Sequence, residues 1–139
     1  MSWAGLYRPT SMSTPTFSHV LTVAIPVSDQ ERTKSLLQRL GFEEHLDMEL
    51  QPGFRWVELR LPGAATSVSL VQTGDALPTG IDTGVRLGTP DARAAHATIA
   101  AEGLEVGELL DWETAPLMFS FADPDGNRFY VTEVPAQGS

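Results

Sequence analysis

The same order of elements runs twice along this chain, and that repetition limits the folds open to it. In the first half, Val20 to Val27 reads as a strand with Leu21, Val23, Ile25 and Val27 on one face and Thr22, Ala24 and Pro26 on the other. Pro26 has no N–H to donate, which suits an edge or a strand end. Ser28 as N-cap with Glu31 three residues on has the form of a capping box. The helix it opens carries an apolar stripe of Leu36, Leu37 and Leu40. It stops at Gly41, a left-handed cap with Phe42 as its hydrophobic contact. Strands are expected around 44–50, 54–61 and 66–72, parted by Pro52-Gly53 and Pro62-Gly63 turns. The second half repeats this order. Gly84 to Leu87 is a short strand, and Thr89-Pro90-Asp91 supplies an N-cap, a first helical proline and a first-turn acid. An alanine-rich helix runs to about Glu102, Gly103 stops it, and strands follow near 104–111, 115–122 and 128–134.

A chain of 139 residues, 42% apolar, suits one domain or two small modules sharing a core. The expected layout is an arm over 1–16, a first module over 17–73, a linker over 74–82, a second module over 83–135 and a tail over 136–139. Trp3, Leu6 and Tyr7 are unusual in a Ser/Thr/Pro-rich arm. Two readings stand: a disordered leader with translation starting at Met12, or an arm whose aromatics dock on the body or on a partner subunit. A net charge of −9 argues against nucleic acid or an anionic membrane surface as partner, since both need a basic patch. With no cysteine, disulfides, thiolate catalysis and Cys-ligated metals are excluded. No run approaches the roughly 18 apolar residues that span a bilayer. The first residues do not read as a signal peptide either, so a cytoplasmic location is expected.

The last hairpin, Phe119 to Glu133, turns through Asp123-Pro124-Asp125-Gly126-Asn127. Pro124 presets its φ, Asp123 can bond forward to the backbone, and Gly126 accepts a positive φ. Two strand–helix–three-strand modules, Gly41-Phe42 at the first helix end and this turn before the last strand together resemble the vicinal oxygen chelate superfamily. That superfamily holds glyoxalase I, bleomycin-resistance proteins, extradiol dioxygenases and fosfomycin-resistance enzymes. The resemblance covers about residues 18–134 and implies an α+β fold: two tandem βαβββ modules forming a curled mixed sheet around a cleft, with helices outside. It also implies a homodimer, as in many members.

The resemblance further implies four positions for divalent-metal ligands. In this chain they fall at Thr22, Gly84 and Tyr130, and near Leu70 in Val68-Ser69-Leu70-Val71-Gln72. None holds a His or Glu. His19, His45 and His96 lie at the wrong offsets, and alternation puts Glu133 three residues from Tyr130 on the helix side. No set of three or four converging ligands is visible, so the expectation is a cleft without metal and without any other cofactor.

Strand alternation turns Thr22, Ala24, Trp56, Glu58, Arg60, Gly84, Arg86, Tyr130 and Thr132 into that cleft. Such a lining suits a partly aromatic small molecule carrying an anionic or carbonyl group. Trp56 would stack, Arg60 or Arg86 would fork an acid, Thr22 and Thr132 would hydrogen-bond, and Gly84 would leave room. The leading expectation is binding of a small organic ligand without turnover, as in bleomycin-resistance relatives. The net negative charge would suit a cationic ligand, which sits awkwardly with two inward arginines. The alternative is a metal-independent isomerase, epimerase or cyclase, with Glu58 as base, Tyr130 as acid or oxyanion donor and Arg86 holding developing charge. A metal lyase or dioxygenase requires a different strand register. A plainer reading of the same residues also stands: Glu58 pairing with Arg60 or Arg86, Trp56 in a core or dimer interface, and Tyr130 satisfying a backbone carbonyl.

Overall fold

The computed structural model of the protein describes residues 15–72 and 78–135. Trp3, Leu6, Tyr7, residues 74–77 of the expected linker and the tail lie outside the described residues. The first module runs β1 (Thr22–Val27), α1 (Gln30–Arg39), β2 (Glu43–Gln51), β3 (Phe54–Arg60) and β4 (Ser67–Gln72). The second runs β5 (Asp82–Thr89), α2 (Ala92–Ala101), β6 (Glu105–Val106), β7 (Met118–Ala122) and β8 (Arg128–Glu133). Each module folds its own four-stranded mixed sheet, in the orders β1-β4-β3-β2 and β5-β8-β7-β6. β1 lies parallel to β4 and β5 parallel to β8, while the other pairs are antiparallel. The α+β class and the duplicated βαβββ order are therefore as expected, and the sheets do not close. Among the described residues, no helix is long and apolar enough to cross a membrane.

Both helices are capped later than expected, by one residue in α1 and by two in α2. Asp29, extended at φ −144°, accepts the Arg32 N–H and is the N-cap of α1, so Glu31 closes no box with Ser28. Asp91 does the same for α2 by accepting the Ala94 N–H, which leaves Thr89 and Pro90 outside the helix. In both places two candidates one or two residues apart offer a side-chain oxygen, and the carboxylate wins because it also carries charge to the positive helix end. Gly41 ends α1 as expected, at φ +105°. Its N–H bonds Gln38 O at 3.1 Å and the Phe42 N–H bonds Leu37 O at 2.9 Å, the paired bonds of a Schellman end.

The strand expected over 104–111 shrinks to two residues. Val106 faces Phe121 and the next bridge joins Leu110 to Met118, so four steps on one side oppose three on the other. The extra residue breaks the ladder. β5 outgrows its expected span and has an irregularity of its own around Gly84, at φ +70°. Left-handed backbone accounts for glycine there.

One face of each sheet is dry. Ile25, Val57, Leu59 and Leu70 of the first, and Phe119, Phe121, Phe129 and Val131 of the second, join a single core with Leu37 and Ile99 of the helices. Arg39 of α1 pairs with Glu102 beyond α2 at 2.9 Å. A largely apolar hollow of about 270 Å³ between the helices is lined by Leu37, Leu40, Ala95 and Ile99 among others. The helix-bearing faces of the two modules thus meet within one chain.

The Asp123–Asn127 turn is also a clasp between modules. Asn127 is fully buried. Its Nδ2 donates to Pro26 O at 2.7 Å and to Asp123 Oδ2 at 2.9 Å, and its Oδ1 accepts the Gly80 and Ile81 N–H groups at 2.9 and 3.1 Å. Asp125 takes the N–H and hydroxyl of Ser28 and an ion pair from Arg32 at 3.2 Å. Glu133 points to the helix side, as alternation predicts, and accepts the Ala92 N–H in the first turn of α2.

Candidate functional site

Because the dry faces meet, the opposite faces of the two sheets turn away from each other. The first carries Trp56 and Glu58 on β3. Leu46 lies across from Glu58 and Met48 across from Trp56 on β2. Phe54 packs edge-on against Trp56 with ring centres 6.2 Å apart. Leu46, Met48 and Phe54 are each more than a third exposed. Glu58 is half-buried and held twice: Trp56 Nε1 donates to it at 2.6 Å and the Ser67 hydroxyl at 2.7 Å. The indole N–H keeps the Glu58 carboxyl below the usual carboxylate range. Ser67, His45 and Arg60 act in the same direction, and burial opposes them. Glu58 forms no ion pair with Arg60 or Arg86 among the described residues, so the plainer alternative of a self-paired carboxylate does not apply to it. Ser69 lies opposite Glu58 and Ala24, with its hydroxyl buried and without a partner. The Thr22 hydroxyl is spent on Ser67 O at 3.3 Å.

The second face carries Arg86 opposite Tyr130, Ser120 on the far side of Tyr130, and Thr132 opposite Met118. The Arg86 guanidinium lies 4.3 Å above the centre of the Tyr130 ring. The Tyr130 hydroxyl donates to Asp82 at 2.5 Å, a carboxylate that strand alternation alone did not single out; it is no backbone carbonyl that this phenol satisfies. The bond raises the phenol above its ordinary range and lowers the Asp82 carboxyl, which also accepts the Gly84 N–H. Arg128 reaches across to the Ser120 hydroxyl at 3.1 Å. A hollow of about 230 Å³ opens here, lined by Arg86, Glu108, Leu110, Met118, Ser120 and Tyr130.

Trp56, Glu58 and Arg60 therefore share one face of a chain and Arg86, Tyr130 and Thr132 another, with no hydrogen bond, ion pair or ring contact joining the two groups among the described residues. The four positions implied for metal ligands hold no His, Asp or Glu. Thr22 and Tyr130 have committed their hydroxyls, Gly84 has no side chain, and Leu70 lies fully buried in the core with Ser69 beside it on the outer face. Among the described residues no three His, Asp or Glu side chains converge. His96 bonds Gly107 O at 2.9 Å and packs against Phe119, and His19 meets the Ser18 hydroxyl, so both are satisfied locally.

Two paired-up βαβββ modules with a dry helix side and a polar–aromatic outer side define a class, and the chain's sequence places it there. A profile of the Glyoxalase/Bleomycin resistance protein/Dioxygenase superfamily matches residues 16–131, and the chain belongs to that superfamily. It is similar to a superfamily member from Sphaerobacter thermophilus, with 32% identity over 86% of this chain and all of the other, at a TM-score of 0.78. It is also similar to TnmS3, an antibiotic binding protein from Streptomyces sp. CB03234, with 30% identity over 88% of this chain and all of the other, at a TM-score of 0.76. The fosfomycin resistance protein FosX from Listeria monocytogenes shares the fold at 16% identity, 88% and 98% coverage and a TM-score of 0.70. No curated protein sequence matches significantly.

Proposed function

We propose that this protein binds a small organic molecule, without metal and without turnover, in a cleft built by two copies of the chain. The first sheet's outer face in one copy meets the second sheet's outer face in the other, giving two clefts per homodimer. The observation that carries this reading is the outward placement of both half-sites. The first presents hydrogen-bonded Glu58 beside exposed Leu46, Met48 and Phe54, the second presents hydrogen-bonded Tyr130 beside half-buried Leu110 and Met118, and neither half encloses a ligand alone. The likeness to TnmS3, an antibiotic binding protein, supports a ligand rather than a substrate. Acid–base turnover by Glu58, Tyr130 and Arg86 would need the same pairing of chains, and it finds the Tyr130 proton already committed to Asp82.

The test joins sedimentation equilibrium with intrinsic tryptophan fluorescence across a panel of aromatic antibiotics. We expect a dimer, saturable quenching with one ligand per chain, and loss of at least about tenfold in affinity in Trp56→Ala, the cost of removing a buried stacking surface. A monomer that quenches with nothing in the panel would sink the reading.

A further inference from the structure

The basic side chains among the described residues divide into two sets. Across the whole chain carboxylates outnumber lysines and arginines 18 to 9, so any arginine has partners to hand. Arg32, Lys34, Arg39, Arg55 and Arg93 each take at least one, at 2.6 to 3.3 Å. Arg60, Arg86 and Arg128 form no ion pair with any described residue, and all three stand on the outer sheet faces. A face that only had to stay wet would be served by the same self-paired charges found elsewhere. Three unmatched guanidiniums in a chain of net charge −9 mark a place where the opposite charge arrives from outside.

The second sheet's geometry narrows the choice to Arg86. Its guanidinium carbon lies 4.3 Å over the centre of the Tyr130 ring, a contact that positions the group, and among the described residues its N–H groups take no hydrogen-bond or ion-pair partner. Arg128 lies across the same face and engages only the neutral Ser120 hydroxyl. The nearest carboxylate, Asp82, feels the charge of both but forms no ion pair with either, its oxygens accepting the Tyr130 hydroxyl and the Gly84 N–H instead. Glu108 lines the hollow and pairs with neither arginine. Across the cleft, the Phe54–Trp56 pair offers an aromatic wall.

We infer that the ligand is an aromatic anion, its carboxylate or comparable acidic group held by the fork of Arg86 with Arg128 in support, and its ring system against Trp56. The inference rests on the two-chain cleft proposed above and specifies the class of molecule it takes.

Isothermal titration calorimetry on the full chain, with three probes of one ring system, tests it: 2-naphthoate, neutral 2-naphthamide and cationic 2-naphthylmethylammonium. Naphthoate is expected to bind about tenfold tighter than the amide, the scale of one charge-assisted fork, and to weaken as salt rises. Arg86→Gln should erase that preference and leave the amide's affinity in place. Arg128→Gln should reduce the preference, and Arg93→Gln, which breaks a pair with Asp111 elsewhere on the surface, should leave it unchanged. The amide or the cation binding as well as naphthoate, or a preference that survives in Arg86→Gln, overturns the anion while ligand binding itself stands. No binding of any probe by the unsubstituted chain overturns both.

Discussion

Asn127 uses every hydrogen-bonding site its side chain has, two donors and two acceptor lone pairs, in a place with no access to water. Asn127→Ala strands Pro26 O and two backbone N–H groups at once, and unsatisfied buried groups are costly. The expected loss is about 2–4 kcal/mol, read as a lower urea midpoint with the slope unchanged. The turn around Asn127 was legible from its proline, glycine and acidic residues because turn chemistry is local. Its partner in β1, 101 positions back, was not, since nothing in a five-residue motif names the strand it will touch. Tyr130 illustrates the same limit. Alternation places its ring on the outer face, but the pairing of its hydroxyl with Asp82 depends on the irregularity in β5 around Gly84.

At the scale of elements, α1 is held to the β2–β3 hairpin by a chain of charges: Glu31, Arg55, Asp47, Lys34 and Glu44. Arg55 grips Asp47 with two nitrogens, at 2.8 and 2.6 Å, and Lys34 adds a third contact at 2.7 Å. Those bonds, Arg55 first, hold the Asp47 carboxyl far below the usual carboxylate range and push Lys34 and Arg55 up. A depressed folded-state value means that Asp47 adds stability above the unfolded carboxyl's pKa, and that this share is lost as pH falls towards the folded value. Asp47→Asn should therefore cost about 1 kcal/mol at pH 7, with solvent screening allowed for. The gap from the unsubstituted chain should close as the medium is acidified below about pH 4. Urea melts of both chains at several pH values check this; a gap that widens in acid would contradict it. The elements themselves were legible because apolar period and glycine or proline punctuation agree along both halves. The errors fell where local rules compete, at Ser28 against Asp29 and Thr89 against Asp91, or where an extra residue breaks a ladder, as between Val106 and Leu110.

For the molecule as a whole, period-two patterns sort residues to faces but are silent on how two modules pack. The sequence therefore sorted Trp56, Glu58, Arg86 and Tyr130 to the faces opposite the buried aliphatics and turned them into one cleft, whereas in the structure the first two and the last two look away from each other. That outward placement has a consequence for mixtures of variants. If clefts form between copies, a Trp56→Ala chain spoils the wall it lends and an Arg86→Gln chain spoils the fork it lends. A dimer of one chain of each kind collects both lesions in one cleft and leaves the other intact. Two preparations that each bind naphthoate poorly should then regain capacity when unfolded together and refolded as a mixture, approaching one sound cleft per mixed dimer, measured by calorimetry. Complementation of this sort, familiar from genetics as two broken copies yielding a working product, is what a half-and-half site makes possible and a site enclosed within one chain does not.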